Sequence, residues 1–181
     1  IYVGYRYFET IPGAAEKVVY PFGYGLSYTT FDVETVSAGV VNSNCTSEAN
    51  KLYAKVRVTN TGKFSGKEVV QVYIAKPQGK LGKPAKELAA FEKTRELQPG
   101  ESQLMILTWE INDMASYDDL GKVKKSAYVL EAGSYDIYVG TSVRDVTKAD
   151  YSYILNHDVI TEQLSAKLVP TSLPKRMLAD G

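Results

Sequence analysis

The amino-acid sequence predicts an all-β fold, a sandwich of two antiparallel sheets with about seven strands. Short runs rich in valine and tyrosine recur along the chain, and 14 of its 181 residues are tyrosine. Within several runs apolar and polar residues alternate, which is the pattern of a strand with one buried face. Glycine, proline, asparagine and aspartate separate the runs, and these residues favour turns.

The alternation is clearest in residues 52–59. Apolar residues stand at the even positions, whereas the other face carries Lys55, Arg57 and Thr59. The next run, residues 68–74, is apolar on both faces, which predicts a strand near the centre of its sheet. Between residues 77 and 84, glycine, lysine and proline predict a flexible loop.

Later runs complete the sandwich. By periodicity residues 87–93 fit a strand or a helix, and their position between strand-like runs favours an edge strand. Residues 102–109 alternate again, and residues 112–117 predict a short helical turn. Residues 127–130 and 134–139 flank the turn signal Glu131-Ala132-Gly133, which predicts a β-hairpin.

Residues 26–36 and 151–155 predict the first and last strands. This number and spacing of strands is typical of an immunoglobulin-like or fibronectin III-like sandwich. Its predicted core consists of Leu52, Val56, Val58, Val70, Val72, Ile74, Leu104, Ile106, Trp109, Tyr135, Ile137 and Val139.

Two flanks lie outside this sandwich. Residues 1–25 open with an aromatic run that alternates like a strand, and we expect this run to belong to a longer polypeptide. Residues 157–181 predict a helical stretch at 161–168 and then, around Pro170 and Pro174, a linker or arm. The predicted division is therefore 1–25, 26–156 and 157–181.

Composition excludes several classes of function. Lysine plus arginine equals aspartate plus glutamate, so zero net charge gives no reason to expect nucleic acid or an anionic membrane as partner. No apolar run reaches the ~18 residues of a membrane span. Cys45 and His157 are each the only residue of their type, so we expect no disulfide within the chain, no metal site and no cofactor.

Cys45 also bears on the compartment. A lone cysteine is typical of a reducing, intracellular compartment, and a secreted domain without disulfides is the alternative left open. Asn44 and Thr46 have the spacing of a glycosylation acceptor.

Several longer motifs resemble glycoside hydrolase family 3. IYVGYRYF at 1–8 and YPFGYGLSYTTF at 20–31 are similar to the end of that family's α/β sandwich domain and the linker into its fibronectin III-like domain. VTNTGKFSGKEVVQVYIAKP at 58–77 and VLEAGSYDIYVGTSVRD at 129–145 continue the similarity in the same order. Residues after 146 resemble the connector of a subgroup in which the domain order is permuted.

The resemblance implies a role in a retaining, exo-acting β-glycosidase of the β-glucosidase type, which acts on β-linked glucosides or xylosides. A retaining mechanism needs two carboxyl groups ~5–5.5 Å apart. In this family they come from a (β/α)₈ barrel and the α/β sandwich domain, outside the matched segments. We therefore expect no catalytic residue here but an accessory, structural part, with those domains as partners. The alternative is a stand-alone carbohydrate- or protein-binding module.

Two groups of residues near the start of the chain are candidates for function. Aromatic faces stack on pyranose rings, so Tyr5, Arg6 and Tyr7 are candidates for a sugar subsite. The alternative is that they pack against neighbouring elements, with Arg6 in an ion pair. The residues that match the family's interdomain linker are Pro21, Phe22, Gly23, Tyr24 and Gly25.

Asp118, Asp119 and Asp136 are the carboxylates from which an acid/base pair could be drawn. Asp118 and Asp119 follow Tyr117 in a turn-like segment, and Asp136 lies within a strand-like run. Aspartate is favoured in turns by its hydrogen bonds to backbone N–H groups. We interpret all three as turn or strand-surface carboxylates.

Overall fold

The computed structural model describes residues 1–41, 50–167, 172 and 177–181. Within these ranges the chain forms ten strands, one helical turn α1 (Tyr5–Phe8) and two 3₁₀ turns (Ala15–Lys17 and Asn112–Met114). The strands are β1 (Phe31–Val40), β2 (Lys51–Asn60), β3 (Val69–Ala75), β4 (Glu87–Lys93), β5 (Ser102–Glu110), β6 (Ser116–Asp118), β7 (Ala127–Leu130), β8 (Gly133–Gly140), β9 (Val146–Leu155) and β10 (Val159–Gln163).

Seven of these strands form the sandwich. One sheet has the order β1-β2-β5 and the other β4-β3-β8-β9, with antiparallel pairing and a shared apolar core. The predicted alternation in β2 is confirmed, because its even-numbered residues are buried. Strand β3 lies inside its sheet and β4 at the edge, as predicted. The short strands β10-β7-β6 form a third sheet.

The predicted core is confirmed for ten of the twelve residues and wrong for two. Leu104 and Ile106 are 50% and 59% exposed, whereas Met105, Leu107 and Trp109 are buried. Successive side chains of a strand point to opposite faces, so an inward Trp109 forces the even-numbered positions of β5 outward. The prediction assigned residues of both parities to one face.

The predicted hairpin over residues 127–139 is also wrong. Strand β7 pairs with β6 and β10, whereas β8 pairs with β3 and β9. The turn between them therefore carries the chain from one sheet to another. Gly133 has φ 138°, and a Cβ there would lie 2.6 Å from the Pro77 ring, so only glycine fits this crossing.

Both predicted flanks differ from their predicted secondary structure. Residues 5–8 form the helical turn α1 instead of a strand, since Glu9 N donates to Tyr5 O at 2.8 Å and the backbone is satisfied locally. The first strand begins at Phe31, five positions later than predicted. Residues 159–163 form β10 on β7 where a helix was predicted from residue 161. Asn44, Cys45 and Thr46 lie outside the described residues, and no described helix is long and apolar enough to cross a membrane.

The loop predicted to be flexible is anchored to the β7–β8 crossing. The Glu131 carboxylate accepts hydrogen bonds from Lys80 N at 2.6 Å and Leu81 N at 3.3 Å. It also pairs with the Lys83 ammonium, and these two side chains are 3% and 1% exposed. Leu81 is buried in a small apolar cluster with Ala127 and Val129.

Candidate interdomain contact surface

Residues 1–25 pack on the outer face of the four-stranded sheet. The Tyr5 ring stacks on Phe22 with centroids 4.2 Å apart and meets the edge of Tyr73 at 6.4 Å. The Tyr5 hydroxyl accepts a hydrogen bond from Leu88 N at 2.9 Å. Burial raises the pKa of Tyr5 above its ordinary value. Tyr73 is fully buried although it points away from the sandwich core.

The predicted linker residues bond directly to the sheet. Gln71 Nε2 donates to Gly23 O at 3.1 Å, and Val143 N donates to Phe22 O at 3.0 Å. Gly23 has φ 83°, and a Cβ there would collide with the Gln71 side chain. Glycine at position 23 therefore permits the close approach of the linker to β3.

Ion pairs fix the same segment at two further points. Arg6 Nη1 lies 3.1 Å from Glu87 Oε1, and Arg144 Nη2 lies 2.8 Å from Glu9 Oε1. Arg6 thus forms an ion pair, as expected if these residues pack against neighbouring elements instead of binding a sugar. The Tyr7 and Phe8 rings meet edge to face with centroids 5.3 Å apart. The three candidate residues have different neighbours, and the sugar subsite stays a prediction.

Five large apolar side chains between residues 19 and 28 are exposed. We name this group the aromatic strip, and its members are Val19, Tyr20, Tyr24, Leu26 and Tyr28, with exposed fractions of 84%, 67%, 48%, 89% and 96%. Tyr20 and Tyr24 stack on each other at 5.1 Å. Exposed apolar side chains grouped within ten residues of chain make this stretch a candidate interaction surface. Leu26 and Tyr28 lie within the predicted first strand, although Gly23 and Gly25 just before them signal irregular backbone.

The candidate carboxylates are held by groups of this chain. Asp118 is buried and accepts hydrogen bonds from four backbone N–H groups, those of residues 121–124, at 2.7–3.1 Å. Burial alone would raise the pKa of Asp118, but these donors hold it below its ordinary value. Asp136 contacts Lys148 at 2.7 Å and Ser152 at 2.6 Å. These contacts agree with the interpretation of Asp118 and Asp136 as structural carboxylates, and the interpretation of Asp119 stays a prediction.

His157 is the only histidine of the 181 residues. It is exposed. Among the described residues, no group of three or more histidine, cysteine, aspartate or glutamate side chains could hold a metal ion.

Comparison with known proteins places this geometry in a family. The profile of the fibronectin type III-like domain matches residues 68–143. A β-glucosidase A of Butyrivibrio fibrisolvens is 61% identical over the whole chain, which spans 23% of that protein. The crystal structure of a β-glucosidase from Paenibacillus barengoltzii superposes with a TM-score of 0.83 at 49% identity, covering 91% of this chain and 18% of that one.

The chain belongs to the fibronectin type III-like region of the family 3 β-glucosidases. A β-glucosidase of Ruminococcus albus is 42% identical over 98% of this chain, which spans 18% of that protein. The chain therefore covers about a fifth of the length of the relatives it matches. It is an accessory region, and the predicted all-β sandwich and family resemblance are confirmed.

Proposed function

We propose that this region supports the catalytic domains of a retaining, exo-acting β-glycosidase of the β-glucosidase type and catalyses nothing alone. The aromatic strip carries this proposal. Its five apolar side chains are between 48% and 96% exposed in the described chain, whereas the segment before them is fixed to the sandwich. A partner that covers the strip is thereby held at a fixed position relative to the sandwich.

The partner that fits this surface is the rest of the same enzyme, its barrel and α/β sandwich domains. Burying a large apolar side chain stabilises a structure by ~1.5–3 kcal/mol. Covering several strip residues therefore supplies enough free energy to dock two domains. A β-linked glucoside or xyloside is the substrate of the whole enzyme in this proposal, supported by the family resemblance and by the relatives' name. A permuted domain order is part of this proposal and rests on the resemblance of the residues after 146 to the connector of the permuted subgroup.

A stand-alone carbohydrate-binding module is the weaker candidate. Such a module would be expected to expose several tryptophan or tyrosine rings on one flat face, because aromatic rings stack on sugars. The exposed Tyr20, Tyr24 and Tyr28 favour this candidate, whereas the tryptophan of the chain does not. Trp109 is the only tryptophan of the chain and is 5% exposed in the core.

The chain alone is expected to hydrolyse no aryl β-glucoside. A retaining mechanism needs two carboxyl groups ~5–5.5 Å apart, and the family resemblance implies that this pair lies outside the chain. The candidates Asp118 and Asp136 are engaged by backbone and side-chain donors. Turnover by the chain alone, abolished by substituting one of its own carboxylates, would contradict this expectation.

The interdomain role is tested in the full-length enzyme with Leu26→Ser and Tyr28→Ser. Each is expected to lower the unfolding midpoint of the enzyme and the activity retained after heating, because each removes apolar cover between domains. Leu104→Ser is the matched control, since Leu104 is a half-exposed leucine of the sandwich face. The same strip substitutions should leave the chain alone unchanged. Strip variants as stable as the control in the full-length enzyme would refute the proposal.

A further inference from the structure

Phe91 is an exposed aromatic side chain on the sheet face that the N-terminal segment covers. It lies in the edge strand β4, directly opposite Gln71 of β3, and is 68% exposed, whereas Gln71 is 6% exposed. Directly opposed residues of antiparallel strands lie on the same face with Cβ atoms ~4.5–5.5 Å apart. Since Gln71 Nε2 donates to Gly23 O at 3.1 Å, Phe91 lies one side chain away from the linker. The cover that the N-terminal segment gives this sheet therefore ends between Gln71 and Phe91.

Phe64 is a second exposed aromatic side chain, near the other end of residues 24–28. Its backbone is held by Asn60, which is fully buried. Asn60 Nδ2 donates to Phe64 O at 2.8 Å, and Asn60 Oδ1 accepts from Thr29 Oγ1 at 2.7 Å. One buried amide thus ties the turn that carries Phe64 to the residue that follows Tyr28. The Phe64 side chain is 64% exposed although its main chain is fixed.

The two phenylalanines flank the part of the aromatic strip that follows Gly23. The anchor points Gly23 and Thr29 are six positions apart in the sequence, so their Cα atoms are separated by at most ~22 Å. A standard interface covers ~800 Å² on each partner, which corresponds to a patch roughly 30 Å across. One partner surface is therefore wide enough to cover Tyr24, Leu26, Tyr28 and both phenylalanines.

The position of the N-terminal segment indicates which domain lies over this surface. Residues 1–8 resemble the end of the α/β sandwich domain, and two of them contact β4 itself. The Tyr5 hydroxyl accepts from Leu88 N at 2.9 Å, and Arg6 pairs with Glu87. Leu88 is three positions from Phe91, about 10 Å along the strand. The domain to which this segment belongs is therefore held beside Phe91.

We propose that Phe64 and Phe91 complete the docking surface for the α/β sandwich domain of the same enzyme. The chain spans about a fifth of its relatives, so such a domain lies outside it. Phenylalanine has no polar group in its side chain, so the matching surface is apolar at both points. A partner that contacts the sandwich as well as the linker has its orientation fixed as well as its distance. This inference rests on the proposed function.

Photo-cross-linking in the full-length enzyme tests which domain covers the two side chains. The variants are Phe64→p-benzoylphenylalanine and Phe91→p-benzoylphenylalanine, which keep an aromatic ring and react on irradiation with C–H bonds that lie against it. Mass spectrometry of the peptides is expected to show both positions joined to the α/β sandwich domain of the same chain. Cross-links to the barrel or to a second copy of the enzyme, or no cross-link, would overturn the proposal.

Ile106 is the matched control position for this experiment. It is 59% exposed and lies in β5, an edge strand of the other main sheet. The variant Ile106→p-benzoylphenylalanine is expected to give no product with the α/β sandwich domain. The same product from position 106 would mean that the reaction does not report on this surface, and it would count against the proposal.

Thermal unfolding separates this inference from the proposed function. Phe64→Ser and Phe91→Ser are each expected to lower the unfolding midpoint more in the full-length enzyme than in the chain alone, whereas Ile106→Ser should act equally in both. Equal effects of the phenylalanine variants in both contexts would refute the inference. The proposed function would still stand if Leu26→Ser and Tyr28→Ser destabilise the full-length enzyme. Its own failure would appear as harmless substitutions in the aromatic strip.

Discussion

Asp118 offers the sharpest test of how this chain holds a turn. Its carboxylate accepts four backbone hydrogen bonds, from Gly121, Lys122, Val123 and Lys124. Asp118→Ala removes both acceptor oxygens and therefore all four hydrogen bonds at once. A hydrogen bond to a charged group contributes about 1.5–3 kcal/mol, but these donors are only partly buried and regain water when the carboxylate is lost. We therefore expect the free energy of unfolding to fall by about 2–4 kcal/mol in total.

Urea denaturation of the chain, followed by circular dichroism, measures this loss. Asp150→Ala is the matched control, because Asp150 is exposed and an exposed substitution stays within about 0.5 kcal/mol. The Asp118 contribution also depends on pH. Because the folded pKa lies below the ordinary value of 3.8, the contribution is present above that pH and disappears as the pH falls below it. An Asp118→Ala variant as stable as Asp150→Ala at neutral pH would refute the reasoning.

Three further predictions concern packing and charge in the same chain. In urea denaturation, Leu107→Ala is expected to lower the free energy of unfolding by about 2–5 kcal/mol, because Leu107 is buried. Leu104→Ala is expected to lower it by about 0.5 kcal/mol or less, because Leu104 is half-exposed. Equal losses would mean that β5 has a different register. Lys83→Met should lower the free energy of unfolding by about 3–5 kcal/mol, because it leaves Glu131 as an uncompensated buried charge. Adding Glu131→Gln to that variant should restore much of the lost stability. A double variant no more stable than Lys83→Met would contradict the pairing. Burial would raise the pKa of Glu87, but Lys76 and Arg6 hold it below its ordinary value. The stability lost in Glu87→Gln should therefore become smaller as the pH falls from about 6 to about 3, because the wild-type carboxylate becomes protonated. A loss that does not change with pH would argue against the ion pairs.

Local patterns predicted the sandwich well because each strand carries its own burial signal. The alternation in β2 and the apolar run in β3 specify which residues face the core before any partner is known. In β5 both parities hold apolar residues, so Leu104 and Met105 compete for the same face. The bulky Trp109 decides between them in the structure. The prediction placed both even-numbered and odd-numbered residues of β5 in the core.

Pairing between strands was harder to predict than their existence. Residues 127–139 look like a hairpin because a turn signal separates two strand-like runs. Strands β6 and β10 occupy the two edges of β7, and Leu81 packs against its residues Ala127 and Val129. No local pattern carries that information. The contact surface was predicted in part, since the linker residues were recognised by resemblance while the exposure of Leu26 and Tyr28 depends on packing.

The ion pair between Arg144 and Glu9 has a consequence for the order of folding during synthesis. The two residues are 135 positions apart, and a ribosome adds ~5–20 residues per second. Glu9 is therefore made roughly 7–27 s before its partner exists. Throughout that interval Tyr5 and Phe22 have no completed sheet to lie on. The N-terminal segment is thus the first part of this chain to be synthesised and among the last to reach its place.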